Sequence, residues 1–188
     1  REELDYQVEG RNAERLRNNL HRDPRFRVPA VFWSLSSKRV ITLEYLGGIQ
    51  FNELERLRDA GYKLPSIAQV GVEAYLKQIF VDGFYQADPH PANLLAIGER
   101  VGLLDFGNVG HLTPHQKQLL GDMFLQIFDE DVEGVARTVV RMGASRGRPS
   151  LEEMERDLQR LLVRYWGLPL EDLPLNLVLT RAPGSSAP

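Results

Sequence analysis

Residues 86–112 read QADPHPANLLAIGERVGLLDFGNVGHL. Pro89 and Pro91 forbid helix at the head of this run, because each fixes φ and lacks an N–H. NLLAI (93–97) and VGLLDF (101–106) are short apolar runs, and Gly98-Glu99 between them supplies a turn. The pattern predicts a loop, a small hairpin, and a second loop at Asp105-Phe106-Gly107. Asp88 and Asn93 stand five positions apart in the first loop, and Asp105 follows Asn93 by twelve. An amide oxygen and a carboxylate on neighbouring loops can grip a hard cation and leave positions for other oxygen ligands. Asp, Pro, Gly and Asn are also what turns use. The two acidic phrases in this order, each at the end of an apolar run, make the combined signal specific.

Upstream, residues 2–20 carry a helical pattern. At 100° per residue Asp5, Glu9, Ala13, Leu16 and Leu20 share one sector, while Arg11, Glu14, Arg17 and Asn18 lie opposite. Two carboxylates on an apolar face have two readings. They can sit favourably near the helix N-terminus, or Glu9 can point inward towards a cation, since a buried unpaired carboxylate is costly. No lysine precedes Lys38. After a breaker-rich loop at 21–29, AVFWSL (30–35) and RVITLEYL (39–46) read as a hairpin, and Gly47-Gly48 mark a lobe boundary. A short helix at 52–60 and a long one from Ser66 follow. Downstream of the central run, helices are expected at 114–128, 132–142 and 151–165, with Thr113 and Ser150 as N-caps. The small, polar residues 181–188 are expected to be a disordered tail.

Composition bounds the answer. The 188 residues carry a net charge of −3, with 43% hydrophobic and 26% charged residues, which describes a foldable globular chain. The balanced charge argues against nucleic-acid binding. With no cysteine, a disulfide scaffold, a thiol catalyst and a cysteine zinc site are excluded. No apolar run approaches the ~20 residues of a membrane span. His111 and His115 are four apart, but Pro114 disfavours a helix through both and no accompanying glutamate completes a zinc motif. His90 lies between two prolines and beside Asp88, a place where a metal ligand or a base can be imagined.

The Asp88–Asn93–Asp105 spacing is that of a kinase catalytic loop followed by a D-F-G loop, in which the first aspartate faces a substrate hydroxyl and the asparagine and second aspartate hold Mg²⁺. EELDYQVEGRNAERLRNNL, RVITLEYLGG, QADPHPANLL and GLLDFGNVGHL together resemble the UbiB/AarF family of atypical protein-kinase-like proteins, over residues 2 to about 165. The resemblance implies an α+β, protein-kinase-like fold: a partial N-lobe with αC and hinge strand (1–46), then a mainly helical C-lobe with the catalytic and metal-binding loops (47–180). It implies ATP and Mg²⁺ as cofactors. Glu3 and Asp5 match the family's E-x-D pair, linked to its nucleotide handling, and Glu9 matches the αC glutamate that pairs with a strand-borne lysine. Glu44, Tyr45 and Leu46 match the hinge that meets adenine. Asp88 matches the catalytic aspartate, and Asn93 and Asp105 match the metal ligands.

The sequence departs from the family at Ala92, where glycine is usual, and it contains neither the family's K-x-G-Q segment, nor its alanine-rich nucleotide loop, nor the strand lysine. The chain, opening on Arg1, is therefore expected to be a piece of a longer protein and nearly inactive alone. The activity implied is phosphoryl transfer or ATP hydrolysis supporting ubiquinone biosynthesis. Expected partners are nucleotide, isoprenoid quinone precursors, membrane lipid or quinone-biosynthesis proteins, with no nucleic acid. The expected location is cytoplasmic, peripheral at the inner membrane through the parent protein. Two alternatives stand beside this reading. One is a non-catalytic nucleotide-binding regulator of lipid or partner binding; the other is a small-molecule phosphotransferase of the aminoglycoside or choline kinase type, in which D-x-D usually replaces D-F-G.

Overall fold

The computed structural model describes residues 5–143 and 150–162. The chain divides into two compact units, Arg1–His111 and Leu112–Pro188. The glycine pair 47–48 lies inside the first.

In the first unit, α1 spans Tyr6–Leu20. Asp5 caps it, its Oδ1 accepting the Gln7 N–H at 3.0 Å, so this carboxylate satisfies one of the donors that the first turn leaves free. The helix buries Gly10, Ala13, Leu16 and Leu20, the apolar sector expected from its periodicity, with Glu9 half-buried beside them. Gly10 is needed for close approach: a Cβ there would meet the Trp33 ring at 2.6 Å.

The expected hairpin at 30–46 is present as a pairing but not as two strands, which corrects the strand assignment. Single bridges join Val31 to Leu43 and Ser37 to Val40, and Trp33–Leu35 forms a 3₁₀ turn instead. The Ser36 and Thr42 side chains divert the ladder. The Ser36 hydroxyl donates to the Phe32 carbonyl and accepts the Thr42 N–H, both at 2.9 Å, while the Thr42 hydroxyl donates to the Leu35 carbonyl at 2.8 Å. Such local side-chain bonds compete with a regular sheet.

Regular strands are short. β1 (Phe26–Arg27), β2 (Ile49–Gln50), β4 (Leu94–Ile97) and β5 (Arg100–Leu103) form one sheet in the order β1-β5-β4-β2. β4 and β5 are the predicted hairpin, with Leu94 opposite Leu103 and Ile97 opposite Arg100. β1 joins β5 in parallel, a long-range pairing with no local sequence signal. β3 (Phe84–Gln86) and β6 (Val109–His111) form a separate antiparallel pair. Gly48 precedes β2 where a Cβ would lie 2.8 Å from the Ala96 carbonyl oxygen, so the glycine read as a break lets β2 reach β4.

Between β2 and β3 run α2 (Leu54–Asp59), α3 (Leu64–Leu76) and a π-helical turn, Lys77–Asp82. Gly83, at φ 62°, ends the turn in the left-handed region that glycine enters without strain. The main core joins α1, β1, α3, β3, β4, β5 and the completely buried Phe106.

The second unit holds α4 (Pro114–Phe128), α5 (Val132–Arg141) and α6 (Leu151–Leu162). Thr113 and Gln116 form a reciprocal capping box at the head of α4, and Ser150 Oγ accepts the Glu153 N–H at 3.2 Å at the head of α6. Both expected caps are thus in place. The expected extension of α6 to 165 and the tail at 181–188 lie outside the described residues.

Candidate active site

Asp88 and Asn93 enter on the loop between β3 and β4, and Asp105 on the loop between β5 and β6. Main-chain bonds tie the two loops at both ends. The Leu104 N–H donates to the Asn93 carbonyl at 2.8 Å, and the Ala87 N–H to the Asn108 carbonyl at 2.9 Å. Within the first loop, His90 Nδ1 accepts the Ala92 N–H at 3.2 Å, and the Asn93 N–H donates to the His90 carbonyl at 2.8 Å. Pro91–Asn93 therefore closes as a 3₁₀ turn that delivers Asn93 to the start of β4. His90 thus shapes the loop through its ring and its carbonyl.

The result brings Asn93 and Asp105 together, with Asn93 Nδ2 3.4 Å from Asp105 Oδ2. Asp105 is exposed, and its other carboxylate oxygen accepts the Gly107 N–H at 3.1 Å. Asp88 is exposed at the head of its loop. Among the described residues no group of three His, Cys, Asp or Glu side chains is placed to hold a metal. An asparagine amide, whose oxygen can ligate, beside a carboxylate is a donor set that fits Mg²⁺, which takes one or two protein ligands and fills its octahedron with phosphate oxygens and water. It does not fit a protein-enclosed zinc centre.

Phe106 and α1 set the far wall. The Phe106 N–H lies 3.4 Å from Glu9 Oε1, and its carbonyl accepts Asn12 Nδ2 at 2.9 Å. The helix thus holds both polar groups of one backbone residue while the Phe106 ring anchors the loop in the core. Burial pushes the Glu9 carboxyl above the usual range; the Phe106 N–H opposes this, and the nearby Asp105 charge adds to it. Among the described residues Glu9 has no ion-pair partner. On α3, burial and then the Asp88 and Asp105 charges push the Tyr75 phenol up to about 12.

The remaining expected residues are placed as follows. Glu3 lies outside the described residues, and Asp5 is occupied as the cap of α1. The Glu44 carboxylate accepts the Ala30 N–H at 3.1 Å and pairs with Arg27; these bonds hold its pKa below the usual carboxylate range, the Ala30 contribution being the larger. Tyr45 points into solvent at 92% exposure, and Leu46 packs near β5 beside Gly102. Several working residues escaped the sequence reading. Asn12 is one turn beyond Glu9 on the same face, a signal that was available. Gln86, whose amide donates to the Leu104 and Asp105 carbonyls at 2.6 Å each, and Gln78 carry no such local mark.

Two loops sewn around a hairpin, an Asn–Asp pair between them, and a helix gripping the residue after the second aspartate define a protein-kinase-like domain. The chain's residues 1–139 match the family model described as the ABC1 atypical kinase-like domain. It belongs to that family, the one its motifs resemble. It is 36% identical over 171 residues to an uncharacterized protein of Synechocystis, covering 90% of this chain and 30% of the relative. It is 35% identical over 162 residues to the chloroplastic protein Activity of bc1 complex kinase 7 of Arabidopsis thaliana, covering 86% of this chain and 23% of that protein. The chain therefore spans less than a third of the length of either relative. A solved structure of an Rv3197–erythromycin complex from Mycobacterium tuberculosis shares the fold, with a TM-score of 0.59 at 24% identity, covering 86% of this chain and 41% of that one.

Proposed function

We propose that the domain binds a nucleoside triphosphate with Mg²⁺, and that the longer protein uses it for phosphoryl transfer or ATP hydrolysis in support of isoprenoid quinone biosynthesis. The observation that carries this reading is the meeting of Asn93 and Asp105 across two loops, with Asp88 at the head of the first. In phosphoryl transfer the protein's work is positioning and charge stabilisation. Asn93 and Asp105 would hold Mg²⁺, which neutralises charge on the phosphates. Asp88, open to solvent at the head of its loop, orients an acceptor hydroxyl or a water and takes its proton. Glu9, held at the Phe106 N–H and short of a cation, is placed to orient a lysine that grips the phosphates. The backbone of residues 44–46 borders the adenine in this reading, since the Glu44 carboxylate is already committed to Ala30 and Arg27.

The quinone assignment rests on the family resemblance, and a relative named for the activity of the bc1 complex is compatible with it. A quinone precursor, a membrane lipid or a quinone-biosynthesis protein is the proposed partner, met by a peripheral protein; among the described residues no helix is long and apolar enough to cross a membrane. The D-F-G phrase, with Phe106 completely buried, favours this reading over the aminoglycoside or choline kinase type. Substituting Asp105→Asn in the longer protein should abolish Mg²⁺-dependent ATP turnover while leaving the fold intact by circular dichroism. Wild-type turnover that survives the substitution would overturn the assignment. Nucleotide binding without turnover in the wild type would favour the regulator.

A further inference from the structure

Among the described residues, three buried side-chain atoms lack a hydrogen-bond partner: Tyr75 Oη, Gln78 Nε2 and Gln86 Oε1. They belong to connected positions. Tyr75 and Gln78 lie three residues apart where α3 passes into the π turn, whose wider coil is a common device at functional sites. Gln78 Oε1 accepts the Gln86 N–H at 3.0 Å. Both amide orientations are determined. Turning over the Gln86 amide would set its oxygen against two carbonyls, and turning over Gln78 would set an NH₂ against an N–H.

The polarities of the three free atoms are complementary. Gln78 Nε2 can only donate, Gln86 Oε1 can only accept, and a phenol does either. One water, with two donors and two acceptors, has the bonding capacity for all three, and buried water characteristically makes about three such bonds. Asp105 supplies the reason for this arrangement. Its φ is 61°, in the left-handed region that a β-carbon disfavours, and such a residue persists only where its surroundings over-determine it. The Leu104 carbonyl belongs to the peptide before the Asp105 α-carbon and the Asp105 carbonyl to the peptide after it. By holding both, the Gln86 amide fixes the two planes whose rotation defines that residue's φ and ψ.

We propose that Tyr75, Gln78 and Gln86 are positioning residues: one buried water joins their three free atoms, and Gln86, gripping the peptides on either side of Asp105, sets the direction of its carboxylate. The functional weight of this clamp rests on the reading of Asp105 as a metal ligand.

Amide hydrogen exchange on the 188-residue chain, without metal or nucleotide, tests the clamp. Gln86→Met should raise exchange at Phe106 and Gly107 roughly tenfold and leave α4 and α5 unchanged, and Gln86→His should restore much of the protection. Tyr75→Phe should lower Tm and raise exchange at the same amides by about threefold, because a bridged hydroxyl is lost. If Gln86→Met does not fold, the Tyr75→Phe measurement decides. Unchanged or uniformly raised exchange, or a Tyr75→Phe chain as stable as wild type or more so, overturns the proposal. In the longer protein Gln86→Met should weaken the Mg²⁺ requirement of ATP binding about tenfold while Mg²⁺-free binding holds. A local exchange effect without that loss leaves the clamp standing and overturns the reading of Asp105 as a ligand.

Discussion

Glu9 shows how one carboxylate can be set between fold and chemistry. It sits half-buried on α1, offers an oxygen to the Phe106 N–H, and faces the Asp105 charge with no cation among the described residues. Its carboxyl is raised chiefly by burial, so the ionised form is disfavoured in the folded chain relative to the unfolded one. Linkage then has a definite sign: the penalty is absent below the ordinary glutamate range, grows as pH rises from the ordinary to the raised value, and is complete above the raised value. Glu9→Gln should therefore raise Tm at pH 7, and the gain should shrink towards zero as the pH falls through the carboxylate range in a series of thermal melts. A gain that does not change with pH would place the effect in packing. That Glu9 lies on a buried face was legible from its register with Ala13, Leu16 and Leu20. Its contact with Phe106, 97 positions away, was not, because no local pattern records which distant backbone a helix face will meet.

At the scale of elements, caps and turns were the most readable features. Thr113 and Gln116 each satisfy the other's backbone N–H at the head of α4, with the Gln116 N–H donating to Thr113 Oγ1 at 3.2 Å and the Thr113 N–H donating to Gln116 Oε1 at 2.9 Å. Thr113→Ala should cost about 1 kcal/mol in a urea melt, with Thr113→Ser recovering most of it. A loss within error of zero would mean that water replaces the box. The β4–β5 hairpin and the helices α4 and α5 follow from turn chemistry and apolar periodicity, which act over a few residues. The segment 30–46 reads as two strands yet forms single bridges around a 3₁₀ turn. There Ser36 and Thr42 find hydrogen bonds across the hairpin that compete with the ladder, and β-branched composition alone cannot show that competition. The π turn at Lys77–Asp82 likewise depends on partners elsewhere: Lys77 Nζ donates to the Asn19 carbonyl at 2.8 Å and pairs with Asp82 at 2.9 Å.

On the scale of the whole molecule, a ligand that binds the folded chain must stabilise it by mass action, about 2.7 kcal/mol at a hundred times its dissociation constant. Saturating ATP with Mg²⁺ should thus raise the Tm of the longer protein, and Asn93→Ala or Asp105→Asn should remove the Mg²⁺-dependent part of that rise. Equal shifts in wild type and variants would place the nucleotide away from this pair. The sequence by itself determined the family and the candidate chemistry, because Asp88, Asn93 and Asp105 are set by spacing along a loop, a hairpin and a second loop, all short-range features. Tertiary structure decided how those groups are held: β1 added in parallel to β5, Asn12 and Glu9 closing on Phe106, and Gln86 gripping both peptides around a left-handed Asp105. Each is a contact between distant parts of the chain. It forms only when a buried polar group must find a partner, and that demand arises from the packed interior and not from the local order of residues.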